Sequence, residues 1–252
     1  MTDWLWSTAV YSMALIAVAG AAGVIWPLRM LHRKSRKRAL IMLVVGVGGA
    51  YALTRITPPA STSAAANALD EFAPVFHFRE HHDITIAAPP DRVFAAIKAV
   101  SADEIALFNL FTGIRRFGRP GPESILNAPG QQPILDVAIR GGFLLLADQP
   151  PREVVVGAIV AAPPGTRRPD KFVSNDYKNL VRPGFAKATM SFLVQDLGNG
   201  SSRVETETRV FATDDATLGR FTRYWRVIFP GSSILRATWL RAIKTRAEKA
   251  SS

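Results

Sequence analysis

Two uncharged apolar segments near the N-terminus, separated by a basic run, constrain this chain more than any other feature. They cover Trp4–Leu28 and Ala39–Thr54. At about 1.5 Å per residue, the first is long enough to cross a hydrocarbon core of about 30 Å. The second is shorter, but Arg38 and Arg55 at its ends can extend outward to the interface. We therefore predict a transmembrane helical hairpin within residues 1–55.

The basic run between the two segments predicts the orientation of this hairpin. Residues 29–38 hold six positive charges, whereas the outer flanks carry almost none. The positive-inside rule places this loop in the cytoplasm. The chain is then a multi-pass protein of the cell (inner) membrane, and everything after Thr54 is extracytoplasmic.

The charge distribution argues against a nucleic-acid partner. Residues 1–69 contain seven basic residues and one acidic residue, so they carry much of the formal charge of +11. Residues 70–252 contain 24 basic and 19 acidic residues and are only mildly basic. The high net charge therefore reflects membrane topology and not a nucleic-acid surface.

Small residues recur at four-residue spacing in both apolar segments, at Ala19/Gly23 and at Gly46/Ala50. Such spacing lets helices approach closely. It predicts either close packing within the hairpin or oligomerisation through the same faces. The alternative is that the spacing only reflects how common Gly and Ala are in membrane helices.

The remainder of the chain divides into a linker and one domain. Residues 56–69 are rich in Pro, Ala and Ser, which predicts a tether without structure of its own. The domain covers residues 70–252. The chain has no cysteine, which excludes disulfides, thiol catalysis and Cys-ligated metals.

The domain alternates between strand and helix patterns in a definite order. A strand at 77–87 precedes two short helices, which begin near Pro90 and at the capping box Ser101–Glu104. A period of two then predicts strands at 134–140, 143–148, 152–160, 185–196 and 203–213, with an edge strand near 172–174. A long amphipathic helix follows from Asp214, and Pro230-Gly231 is expected to kink or break it. This order predicts an α+β fold, a curved antiparallel sheet of about six to seven strands closed by the C-terminal helix.

Two stretches of this domain are informative about its family. They are Ile86–Ile97, which reads IAAPPDRVFAAI, and Ser202–Val210, which reads SRVETETRV and is followed by a Trp-bearing helix. Both resemble the START/Bet v1-like helix-grip (SRPBCC) superfamily, in particular its polyketide cyclase/dehydrase-like bacterial members. The resemblance implies a helix-grip fold with a cavity between sheet and helix. The superfamily contains lipid carriers, receptors and cyclases, so the fold does not specify the function.

Together these patterns predict a membrane-anchored domain that binds a hydrophobic small molecule or lipid, with no cofactor. An apolar lining is expected for such a cavity. The predicted lining residues are Val137, Phe143, Met190, Phe192, Thr206, Tyr224 and Trp225.

Two other functions remain open at this level. A cyclase-type enzyme would need an inward carboxylate, and Glu207 or Asp136 could supply it, with Glu207 pairing with Arg140 if the strand register is reversed. Otherwise Glu207 belongs to a solvated outer face. An envelope scaffold would have a filled core. No catalytic residue is assigned, and the histidines of the first strand are interpreted as surface residues and not as metal ligands.

Overall fold

The computed structural model describes residues 2–25, 33–115, 125, 127–166 and 172–249. These residues form eight α-helices, seven strands and a short 3-10 turn at Ala102–Glu104. In chain order the elements are α1 (Thr2–Ile25), α2 (Arg33–Arg55), β1 (Ser61–Thr62), α3 (Ala68–Phe72), β2 (Val75–Phe76), β3 (Phe78–Ile86), α4 (Pro90–Ala99), α5 (Phe108–Arg115), α6 (Ile134–Arg140), β4 (Leu144–Gln149), β5 (Glu153–Ala161), α7 (Ser174–Lys178), β6 (Ala186–Gly198), β7 (Ser201–Ala212) and α8 (Asp215–Lys249).

The chain divides into two compact units. The first, or N-terminal unit, is Met1–Pro58 with Gly219–Pro230. The second, or sheet unit, is Pro59–Leu218 with Gly231–Ser252. Helix α8 contributes a segment to each unit and is continuous, so the predicted break at Pro230 is wrong.

In the N-terminal unit, α1 and α2 lie against each other at glycine positions. A Cβ atom added at Gly20 would lie 2.4 Å from the backbone N of Leu43, and one added at Gly46 would lie 2.4 Å from that of Ala17. Both helices contain stretches long and apolar enough to cross a membrane, Asp3–Ile25 and Arg36–Arg55. Length and composition are the only grounds for this assignment.

The basic loop predicted at residues 29–38 lies partly outside the described residues, which omit 26–32. Its remaining part belongs to α2, which starts at Arg33 and therefore extends beyond the apolar segment Ala39–Thr54.

The segment of α8 in the N-terminal unit presents aromatic and basic side chains to the first turns of α1. The hydroxyl of Tyr11 donates a hydrogen bond to the carbonyl oxygen of Val227 at 2.7 Å. The rings of Trp4 and Phe229 lie 5.6 Å apart. Arg226 lies over the ring of Trp6, at 4.4 Å, and donates to the carbonyl oxygen of Ile56 at 3.2 Å. The unit is therefore held by specific polar and aromatic contacts as well as by apolar packing.

The sheet unit contains a five-stranded antiparallel sheet in the order β3-β7-β6-β5-β4. Side chains alternate between its two faces because the side-chain period of a strand is two. Val154, Met190, Phe192 and Val204 belong to one core cluster together with Trp239 and Ile243 of α8. We call the face that carries these side chains the inner face. The long C-terminal helix thus closes the sheet, and the α+β helix-grip prediction is confirmed.

The outer face of the sheet is also covered. Helices α3 and α7 supply Leu69, Phe72 and Tyr177, which form a second apolar cluster with Val155. Part of residues 56–69, predicted to be a tether, takes part in this cover, because Ala68 and Leu69 belong to this cluster. Within the same stretch, β1 pairs with β2. Asn67 caps α3 by accepting a hydrogen bond from the backbone N–H of Asp70 at 3.0 Å.

Three further details differ from the predicted pattern. Residues Ile134–Arg140 form helix α6 and not a strand. No strand forms near 172–174, where α7 begins at Ser174. The main sheet has five strands, fewer than the six to seven predicted, while β1 and β2 form a separate pair.

Candidate functional site

The inner face of the sheet, where α8 packs on it, brings together an apolar wall. Met190 and Phe192 of β6 are both buried. The ring of Phe192 lies 5.1 Å from that of Trp239 on α8. This wall has the composition expected of a site for an apolar ligand.

Three polar atoms buried on this face lack hydrogen-bond partners among the described residues. They are the hydroxyl oxygens of Thr206 and Thr208 and the indole Nε1 of Trp239. All three residues are more than 90% buried. Leaving such a group unsatisfied costs about 1–3 kcal/mol. Unsatisfied donors beside an apolar wall are what a site for a ligand with a polar oxygen requires.

The register of the strands places a carboxylate and an imidazole on the same inner face. Glu80 lies opposite Thr208, and His82 lies opposite Thr206. Oε1 of Glu80 and Nε2 of His82 are 3.2 Å apart. Glu80 is 4% exposed, so its carboxylate is held in an environment that excludes most water.

Two serines of α8 complete the hydrogen bonding of this pair. The hydroxyl of Ser232 donates to Oε2 of Glu80 at 2.9 Å. The hydroxyl of Ser233 lies 3.2 Å from Nε2 of His82. The pair is therefore fixed from the helix side as well as from the strand.

A positive charge lies beside the same wall. The guanidinium of Arg236 contacts the Sδ atom of Met190 and lies over the ring of Trp239, at 5.3 Å. The inner face thus combines apolar surface, unsatisfied donors, a carboxylate, an imidazole and a guanidinium.

The structure brings together part of the predicted cavity lining. Met190 and Phe192 are buried in the core cluster of the inner face, Phe143 packs against that cluster, and Thr206 supplies one of the unsatisfied hydroxyls. Val137 is buried, but on helix α6 and not on a strand.

Tyr224 and Trp225 lie in the segment of α8 that belongs to the N-terminal unit. Their rings are 5.5 Å and 6.0 Å from that of Phe221. The ring of Trp225 is also 5.5 Å from that of Phe229. We therefore do not count these two residues as part of the inner-face site.

The carboxylates proposed for an enzyme do not reach the inner face. Glu207 points to the outer face, where its oxygens lie 2.7 Å from Arg79 and 2.6 Å from Arg209. Asp136 is exposed on α6, and Arg140 bonds to Gln132. The pairing of Glu207 with Arg140 and the reversed register are wrong.

The outer-face charges form a buried cluster and are not solvated as predicted. Arg209 donates to Asp70 at 2.7 Å and to the carbonyl oxygen of Ala73 at 3.0 Å, as well as to Glu207. Burial alone would raise the pKa of Glu207, but hydrogen bonds from His81, Arg79 and Arg209 outweigh it and hold that pKa far below its ordinary value. Hydrogen bonds from Ser63 and Arg209 likewise overcome burial and lower the pKa of Asp70.

The histidines of the first strand separate in space. His81 faces outward with Nδ1 at 3.4 Å from Glu207, and the ring of His77 stacks on Phe211 at 5.2 Å. Only His82 faces inward. Among the described residues no group of three or more His, Asp or Glu side chains is arranged to hold a metal ion.

The inward-facing pair Glu80 and His82 was not among the predicted site residues, although the sequence pattern indicates it. Strict alternation along 77–82 places Glu80 and His82 on one face, opposite His77 and His81. The prediction that the histidines of this strand are surface residues left the pair out of the predicted site. Ser232 and Ser233 carried no comparable signal, because serine within a helix is common.

No protein-family model matches the sequence, and a search of curated proteins finds no match. Among solved structures, the chain is similar to TTHA0849 from Thermus thermophilus, at 11% identity and a TM-score of 0.28, with 69% of this chain and 100% of that chain covered. It is also similar to the Zhui aromatase/cyclase from Streptomyces sp. R1128, at 13% identity and a TM-score of 0.28, with 69% and 96% covered. Likenesses at this level carry no information about chemistry, and the fold rests on the sheet and helix described above.

Proposed function

We propose that this protein is a membrane-anchored binder of a hydrophobic small molecule or lipid, held between the inner face of the sheet and α8. The observation that supports this most is the presence of three buried, unsatisfied polar atoms on the inner face, on Thr206, Thr208 and Trp239. A filled apolar core would have no use for them. A ligand that is mainly apolar and carries one oxygen acceptor would satisfy them.

The anchor in this proposal is the pair α1 and α2 within residues 1–55. The binding domain is the part of residues 70–252 that belongs to the sheet unit, and residues 56–69 lead from the anchor into the outer-face cover of that unit. The positive charges of residues 29–38 favour a cytoplasmic loop. The binding domain then lies outside the cytoplasm, at the surface of the inner membrane. Such a position suits a ligand taken from the lipid phase.

The wall of the proposed site consists of Phe143, Met190, Phe192, Thr206 and Trp239, with Val137 as a further candidate. Phe192 and Trp239 supply the largest apolar area, and aromatic side chains commonly dominate such sites. Thr206 and Thr208 would set the orientation of the ligand through its oxygen.

The test is native mass spectrometry of the detergent-purified full-length protein, followed by solvent extraction and identification of what was bound. We expect one apolar molecule with an oxygen acceptor to be retained per chain. Thr206→Val combined with Thr208→Val keeps the shape but removes both hydroxyls. At about 0.5–1.5 kcal/mol per hydrogen bond, the double variant should retain the molecule roughly tenfold less tightly.

Thr85→Val is the matched control, because Thr85 is an exposed residue of β3. It should retain the ligand as the unchanged chain does. If the unchanged chain retains no molecule under any extraction condition, the proposal is wrong and a scaffold function becomes the better account. Equal retention by the double variant would show that the hydroxyls do not contact the ligand.

A further inference from the structure

We propose that His82, oriented by Glu80, is a general base that removes a proton from the bound ligand, so that the domain is an enzyme for carbonyl compounds. This inference rests on the proposed function, because it needs a ligand on the inner face. It adds a reaction and a substrate class, namely an apolar molecule with a carbonyl group and an acidic C–H beside it.

The hydrogen bonds of His82 determine which ring nitrogen can act as the base. Nε2 lies 3.2 Å from Oε1 of Glu80 and 3.2 Å from Oγ of Ser233. A carboxylate beside Nε2 favours a proton on that nitrogen, since two lone pairs would otherwise repel each other. The neutral ring then carries its lone pair on Nδ1, which makes no hydrogen bond to any described residue.

The same geometry excludes Ser233 as an activated nucleophile. In a Ser-His-acid triad, the serine and the acid bind different ring nitrogens. Here both lie next to Nε2, so the imidazole cannot accept a proton from Ser233 while donating to Glu80. Ser233 and Ser232 therefore act as positioning residues that hold the pair against α8.

The unsatisfied donors lie on the inner face, as His82 does. Thr206 is the cross-strand neighbour of both His82 on β3 and Phe192 on β6. Phe192 in turn contacts Trp239. The hydroxyls of Thr206 and Thr208 and the indole N–H of Trp239 can donate to a carbonyl oxygen, and these hydrogen bonds strengthen as it becomes an enolate. Preorganised donors are the arrangement that such a reaction needs.

The step balances without any cofactor. Nδ1 of His82 accepts the proton from the carbon next to the carbonyl. The electron pair of that C–H bond forms a carbon–carbon double bond, and the carbonyl π pair moves to the oxygen, which the three donors hold. Return of the proton from Nδ1 to the enolate oxygen gives the enol isomer and regenerates neutral His82.

The first test is the protonation of the imidazole, measured by NMR of the ring nitrogens in isotope-labelled full-length protein in detergent. We expect neutral His82 to carry its proton on Nε2. The resonances are assigned by comparison with His82→Gln. A proton on Nδ1 would overturn the proposal, because no lone pair would then face the ligand.

The second test uses 5-nitrobenzisoxazole, a small aromatic probe that reports on a general base in an apolar site. The base removes its carbon-bound proton, the N–O bond breaks, and a coloured nitrile-phenolate forms. General-base catalysis contributes about 10²–10⁴-fold. We therefore expect His82→Gln to lose about 100-fold of the rate above background, and Glu80→Gln to lose about tenfold.

His81→Gln is the matched control, since His81 is the neighbouring histidine but faces outward. It should keep the full rate. Equal rates for His81→Gln and His82→Gln, or no rate above background in the unchanged chain, would overturn the general base. Neither result would contradict the proposal that the domain binds a ligand, because retention of a ligand is measured separately by native mass spectrometry.

Discussion

At the residue scale, Arg209 holds the buried charges of the outer face. Its side chain is 7% exposed and pairs with Asp70 and Glu207, both largely buried. Arg209→Met removes the cation but leaves two carboxylates in a poorly hydrated site. Removing one partner of a buried pair costs about 3–5 kcal/mol. We expect a loss of that size in the free energy of unfolding, measured by chemical denaturation of the full chain in detergent.

Arg203→Met on the same strand is the control for this prediction. Arg203 pairs with Asp83 at 3.1 Å, and both side chains are more than 40% exposed. Exposed pairs contribute about 0–1 kcal/mol. A similar loss in the two variants would show that the buried cluster is no more important than a surface ion pair.

The same cluster predicts a dependence of stability on pH. The folded pKa of Glu207 lies below its ordinary value of 4.5, so its ionised form stabilises the folded state. That stabilisation is fully present above the ordinary value and is lost as the pH falls through the folded pKa. We expect the denaturation midpoint to fall progressively below about pH 4.5. In Glu207→Gln this fall should be shallower, and an unchanged slope would contradict the assignment.

At the element scale, the contact between α1 and α2 depends on glycines that face a backbone. Any side chain at Gly46 would collide with Ala17, whereas nothing lies within 4 Å of the Cβ position at Gly48. Overpacking costs about 1–3 kcal/mol, and a clash with backbone cannot be relieved by a rotamer change. Gly46→Ala should therefore lower the thermal midpoint in detergent.

Gly48→Ala is the control, on the same helix and with the same added atom. It should leave the midpoint unchanged or raise it, since alanine favours the helix over glycine by about 0.5–1 kcal/mol. If the two variants melt together, the close approach of α1 and α2 is not what stabilises this unit.

Several elements could be predicted from local patterns, and the exceptions have physical causes. The strands β3, β5, β6 and β7 follow from alternation, because each packs apolar side chains on the inner face. Alternation predicts a strand at Ile134–Arg140, but the segment is a helix, with Ile134, Val137 and Ala138 buried at helical spacing. Short apolar segments are compatible with both the helical and the strand period, and tertiary packing determines which one forms.

The charged contacts of the outer face could not be predicted from local sequence patterns, for a different reason. Alternation along β7 correctly separated Glu207 and Arg209 from Val204 and Thr206. It could not show that Asp70, at the start of the predicted domain, would pair with Arg209, a partner 139 residues away in sequence. The spacing of residues along one strand carries no information about which distant residue a charged side chain will contact.

At the scale of the whole molecule, helix α8 contributes a segment to each of the two units. The periodicity of its apolar residues does not indicate this division. Phe221, Tyr224 and Trp225 form as regular an apolar stripe as Leu235, Trp239 and Ile243. The first stripe belongs to the N-terminal unit, and the second faces the sheet. The predicted strand residues therefore do lie at the candidate site, whereas the tryptophan that α8 contributes to it is Trp239 and not the predicted Trp225.

The orientation of the whole chain can be tested directly because it contains no cysteine. Gln195→Cys places a single thiol at an exposed position of β6, and Lys37→Cys places one in the basic segment. In spheroplasts of a bacterial host, a membrane-impermeant maleimide should label the first variant and not the second. Permeabilisation should make both reactive. The reverse pattern would put the domain in the cytoplasm, and a ligand drawn from the outer lipid surface would no longer be the expected class.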